Sequence, residues 1–119
     1  MSRDDAYALD VLNAARAALS FVEGVDAGRF SDDVEKQSAV LYQLTVLGEA
    51  ANRLSEAYTQ AHPDVHWVPM TGLRNRIVHE YDRVDVEIVW RIVSEELPVL
   101  VKARFQEICP THLPARHAG

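Results

Sequence analysis

SDDVEKQSAVLYQLTVLGEAANRLSEAYTQ, residues 31–60, is the stretch that decides the fold. Val40, Leu41, Leu44, Leu47, Ala51, Leu54 and Tyr58 recur at three- and four-residue steps, which places them on one face of a long helix. Ser31 is the expected N-cap, and Asp32 and Asp33 put acids into the first turn, where the helix dipole favours them. No proline interrupts the stretch, so the periodicity predicts a helix running to about Gln60. Gly48 in its middle costs about 1 kcal/mol relative to Ala and signals a close helix crossing.

Upstream, residues 4–27 read as another helix, rich in Ala, with Leu9, Leu12, Leu19 and Val22 at helical spacing and an ending near Gly24 to Gly28. Downstream, Pro63 and Pro69 mark a loop anchored by Trp67, followed by a short helix from about Thr71 to Glu80. Asp85 then caps a fourth helix whose face is Val86, Val89, Trp90, Val93, Leu97 and Leu100. Pro98 must kink or restart that helix, because it lacks an amide hydrogen and its ring clashes with the preceding turn. No strand alternation is found, so the fold class is all-α: a bundle of about four main helices. One domain is expected over residues 1–109, with a disordered tail at 110–119.

Composition narrows the function. With 119 residues, 48% of them hydrophobic, the chain can build one core and not two. Cys109 is the sole cysteine, which excludes an intrachain disulfide and a cysteine cage for metal. The opening Met-Ser-Arg-Asp-Asp is polar and no run nears the roughly 18 apolar residues of a membrane span, so a cytoplasmic protein without membrane association is expected. Twelve Lys and Arg against eighteen Asp and Glu give −6, which argues against a broad basic surface for nucleic acid. The deficit lies mainly in residues 1–60, at −5, whereas residues 61–119 stand at −1. A polyanion would therefore meet a local site in the second half.

That half contains Gly72-Leu73-Arg74-Asn75-Arg76-Ile77-Val78-His79-Glu80-Tyr81. On a helix Asn75 and His79 lie about 40° apart, and Arg74 about 140° from His79, so Arg74 joins them by its long reach or from another subunit. Arg is a permanent fork for phosphate oxygens, His moves protons near neutrality, and Asn orients an imidazole or a hydroxyl. The set suits phosphodiester chemistry; the competing reading is a solvated helix face with an incidental histidine. Other groups are weaker. His62 and His66 have the spacing of a zinc pair, but Pro63 breaks their register, and no metal site is assigned. Glu49 and Arg53 are spaced for a surface ion pair.

Trp67, Pro69, Gly72-Leu73-Arg74-Asn75 and His79-Glu80-Tyr81, together with Leu47-Gly48-Glu49-Ala50-Ala51, Val89-Trp90-Arg91-Ile92-Val93 and Glu96-Leu97-Pro98, resemble the HepT-like toxins of the HEPN superfamily, whose motif is Arg, four residues, His, any residue, Tyr. The likeness covers roughly residues 5–105. It implies a HEPN-type helical bundle that forms a symmetric homodimer and cuts RNA, with tRNA the family-level candidate, at a shared cleft without metal or other cofactor. By that resemblance Arg74 and His79 are the catalytic pair and Tyr81 the third motif member; a two-fold cleft would gather Arg76 and Arg83 twice over, and these with Asn75 are the expected supporting or RNA-binding residues. It also implies a toxin–antitoxin pair, of type II-like or AMPylation-controlled kind, whose MntA-type nucleotidyltransferase antitoxin attaches AMP to Tyr81. The alternatives are a non-catalytic nucleotide- or protein-binding module using the same cleft, and a plain dimerisation bundle.

Overall fold

The computed structural model describes residues 2–63, 73–77 and 84–108, with the side chains of Arg74, Asn75 and residues 103–108 outside that description. The chain is all-α, as the periodicity predicts. Helix α1 (Arg3–Phe21) begins with a capping box: the Ser2 hydroxyl accepts from the Asp5 amide, and the Asp5 carboxylate accepts from the Ser2 amide. It ends earlier than expected, at Phe21, and the chain turns through Gly24, whose φ of 74° lies in the left-handed region that disfavours any side chain.

Where the first helix is expected to end and the second to begin lies a five-residue helix, α2 (Ala27–Ser31), N-capped by Asp26. Its Phe30 is fully buried, and a side chain of that size withdrawn from water contributes about 1.5–3 kcal/mol. The cap of the next helix moves accordingly. Ser31 closes α2, so Asp33, accepting from the Lys36 amide, caps α3 (Val34–Asn52). Gln37 reaches back to donate to the Phe30 and Ser31 carbonyls, satisfying the end of α2.

The helix expected to reach Gln60 stops at Asn52. The Arg53 and Leu54 amides turn to carbonyls three residues back, and Ser55 caps a separate α4 (Glu56–Ala61). Asp4 fixes that break: its carboxylate accepts from the Ser55 amide at 2.9 Å and the Ser55 hydroxyl at 2.6 Å. Those two donations, the hydroxyl first, hold the Asp4 carboxyl below its ordinary range.

Helix α1 lies along α3 and also packs against the last helix. Leu12 and Val22 are buried as expected, but Leu9 and Leu19 are half-buried, and the core face of α1 is Ala8, Val11, Leu12, Ala14, Ala15 and Ala18. Small side chains there let the two backbones approach. Opposite stand Val40, Leu44, Leu47 and Ala51 of α3, all buried.

Two further helices complete the core: α5 (Leu73–Ile77), and α6 (Val86–Arg91), capped by Asp85 as expected. Helix α6 continues through a π-helical turn (Ile92–Glu96) into α7 (Leu97–Ile108). The π turn is how the chain meets Pro98. Leu97 donates to the carbonyl of Ile92, five residues back, which opens the turn where Pro98 has no hydrogen to give and its ring needs room. Val89, Ile92, Val93, Leu97 and Leu100 are buried across the junction, so the π turn keeps the apolar face on the core. No helix among the described residues is long and apolar enough to cross a membrane.

Candidate functional site

The motif region is built on α5. Leu73 and Ile77, one turn apart, are both buried and seat the helix against α3 and α6. Register then assigns the rest: seen down the axis, positions 74 and 76 flank the buried edge and position 75 lies opposite it.

Asp85 closes the region by three hydrogen bonds of two kinds. Its carboxylate accepts from the Glu87 and Ile88 amides at 3.1 Å each, capping α6, while its own amide donates to the Ile77 carbonyl at 2.8 Å. The chain that leaves α5 at Ile77 therefore returns to the same point at Asp85. His79, Tyr81 and Arg83 belong to that stretch, and they lie outside the described residues, as do the side chains of Arg74 and Asn75. Trp67, Pro69, Cys109 and the 110–119 tail are likewise outside them.

Arg76 is within them, and it has a partner that sequence reasoning missed. Its guanidinium forks onto Glu96 of the π turn, Nη2 to Oε2 at 3.0 Å and Nη1 to Oε1 at 3.4 Å. The side chains keep 35% and 42% of their surface exposed, so the pair sits at the molecular surface. Glu96 falls in the Glu96-Leu97-Pro98 block, yet no periodicity links it to a residue twenty positions earlier.

Of the weaker candidates, His66 lies outside the described residues, and His62 and Arg53 have structural partners. His62 places Nδ1 3.0 Å from the Tyr58 carbonyl and stacks on the Tyr58 ring, with centroids 4.3 Å apart. Among the described residues no three His, Cys, Asp or Glu side chains gather to hold a metal ion. The Arg53 guanidinium sits over the Tyr7 ring at 6.0 Å, within reach of a cation–π contact.

A family model described as "Ribonuclease HepT-like" matches residues 11–104. The chain belongs to the HepT-like family of the HEPN superfamily. The match runs from the body of α1 into α7 and contains the whole stretch from Arg74 to Tyr81. Among relatives of this HepT-like chain, a Methanocaldococcus jannaschii protein named "Putative RNase MJ1380" is 32% identical over 104 residues, covering 86% of this chain and 95% of the relative. A Thermococcus cleftensis protein named "Probable ribonuclease HepT" is 29% identical over 102 residues, covering 86% and 92%. No solved structure matches.

Proposed function

We propose that this HepT-like protein is a metal-independent endoribonuclease, acting as the toxin of a toxin–antitoxin pair and cutting RNA in the cleft of a symmetric homodimer. The observation that carries the reading is the family match across residues 11–104, which spans Arg74, His79 and Tyr81 of the motif and the helix α5 that contains position 74. The names of the two relatives support an RNA substrate.

Metal-free cleavage needs a base to take the proton of a ribose 2′-hydroxyl, an acid to protonate the departing 5′-oxygen, and cations to hold the phosphate between them. One motif offers one His79. Two-fold symmetry brings two, so that one accepts the 2′ proton while the other protonates the leaving group, and two Arg74 side chains bear on the phosphate. Asn75 and Arg83 contact the RNA beside them, and Arg76 supports the site.

Tyr81 is the proposed regulatory residue. An AMP placed there by an MntA-type nucleotidyltransferase adds a phosphate charge and a bulky base where the RNA phosphate must enter, and both oppose binding. Co-expression with the cognate enzyme is expected to add about 329 Da per AMP to the peptide containing Tyr81; an unmodified intact mass beside an active partner would remove this regulation.

The nuclease reading is tested by incubating the purified protein with total RNA, with and without a chelator, and mapping the cut ends. Defined cuts that survive the chelator are expected. RNA left whole would favour a non-catalytic binding module, and cleavage abolished by the chelator would overturn metal independence.

A further inference from the structure

We propose that Glu96, on the π turn, is a positioning residue for the RNA site: it holds Arg76 and thereby fixes the rotation of α5 about its own axis. The inference rests on the ribonuclease reading for its consequence, and on the geometry of α5 for its cause.

Over its described residues, Leu73–Ile77, helix α5 is positioned by a small set of contacts. Its apolar anchors, Leu73 and Ile77, lie on nearly one line along the axis, about 40° apart in projection. Two points on a line make a hinge. The bond from the Asp85 amide to the Ile77 carbonyl falls on the same line, so among the described residues it adds no lever against rotation about it. Position 76 lies off the line, about 60° from Leu73 and on the side away from position 74, so a tether there is a third point that stops the roll.

The bidentate fork suits this task better than a single contact, since two parallel bonds fix direction as well as distance. The π turn supplies the partner. Glu95 lines the groove between α2 and α6, with Phe30, Trp90 and Arg91, while the next residue, Glu96, meets α5. A one-residue expansion of the helix turns the chain by about 100°, so the bulge that accommodates Pro98 also decides which acid faces Arg76. Any roll of α5 would carry position 74 with it, and misplacing a group that acts on the transition state lowers turnover more than substrate affinity.

The test compares wild type, Glu96→Gln, Arg76→Gln and the charge-exchanged double variant Arg76→Glu with Glu96→Arg. It reads amide hydrogen exchange at residues 73–77, and kcat and KM for RNA cleavage. Each single variant is expected to speed exchange at α5 and to lower kcat by about five-fold with KM unchanged, the size an exposed ion pair commands; the double variant is expected to restore both. Unchanged exchange at α5 in both single variants would overturn the proposal. So would a lower KM for Glu96→Gln, which would mean that Glu96 competes with RNA for Arg76, or failure of the double variant to recover. If wild type cuts no RNA, the ribonuclease reading falls while the exchange measurements still decide whether Glu96 positions α5.

Discussion

Helices α1 and α3 are nineteen residues each and bury an almost continuous apolar seam, whereas α5, over its described residues Leu73–Ile77, shows two buried anchors, one backbone bond to Asp85 and one surface ion pair. The first region carries the stability and the second carries the motif. The contrast teaches that damage to the two should separate: a lesion in the seam acts on the whole molecule, and a lesion around α5 acts on the site. In the proposed reading the site sits on a helix held by few described contacts and docked on the α1–α3 frame.

The largest expected effect breaks the seam. Leu44 is fully buried at its centre, so Leu44→Ala should cost about 2–5 kcal/mol, read as a lower midpoint in urea with cooperative loss of all helices. A cost below that of the next variant would mean that the seam is not where stability resides. Ile77→Val sharpens the comparison from the other side. It trims one methylene from an anchor of α5 and should cost about 0.5–1.5 kcal/mol globally, while hydrogen exchange rises first at residues 73–77.

A smaller effect lies at the junction of α3 and α4. Ser55→Ala removes a helix cap and the hydroxyl held by Asp4, and should cost about 1 kcal/mol at neutral pH. The pH dependence has a definite sign. Asp4 has a lowered carboxyl pKa in the folded protein, so its contribution is fully present above the ordinary aspartate value of about 3.9 and is lost as pH falls through the lowered one. The gap between wild type and Ser55→Ala in thermal melts should therefore stay constant from neutrality to about pH 5 and narrow below pH 4. A gap that widens in acid would contradict the assignment.

Much of the fold was legible because periodicity and capping are local. The α3 stripe, the Asp85 cap and the break at Pro98 each depend on neighbours within about a turn. What escaped was non-local. The stripe through Leu54 and Tyr58 continues across the break at Ser55, and only the Asp4 carboxylate, 51 residues away, shows why the helix restarts. Phe30 lies among Gly, Asp and Arg, with no periodic partner to reveal α2, and its burial comes from packing beside Trp90, with ring centroids 5.3 Å apart. The core face of α1 was misplaced because alanines, weak signals on any hydrophobicity pattern, fill it.

The site divides in the same way. Arg74, Asn75, His79 and Tyr81 are adjacent in sequence, and their order resembles a family motif, so they could be named from the chain alone. Glu96 could not, because its partner is set by the register of a π turn and by the packing of α5, neither of which is written in local spacing.

The most direct test of the central claim is the RNA cleavage rate of His79→Ala against wild type, with the thermal midpoint of each recorded alongside. A fall of about 10²–10³ in rate with the midpoint unchanged is the expected result, the cost of losing one preorganised group at the reacting phosphate. Full activity in a variant that melts with wild type would contradict the assignment of His79, and with it the proposal that the stretch from Arg74 to Tyr81 forms a ribonuclease site.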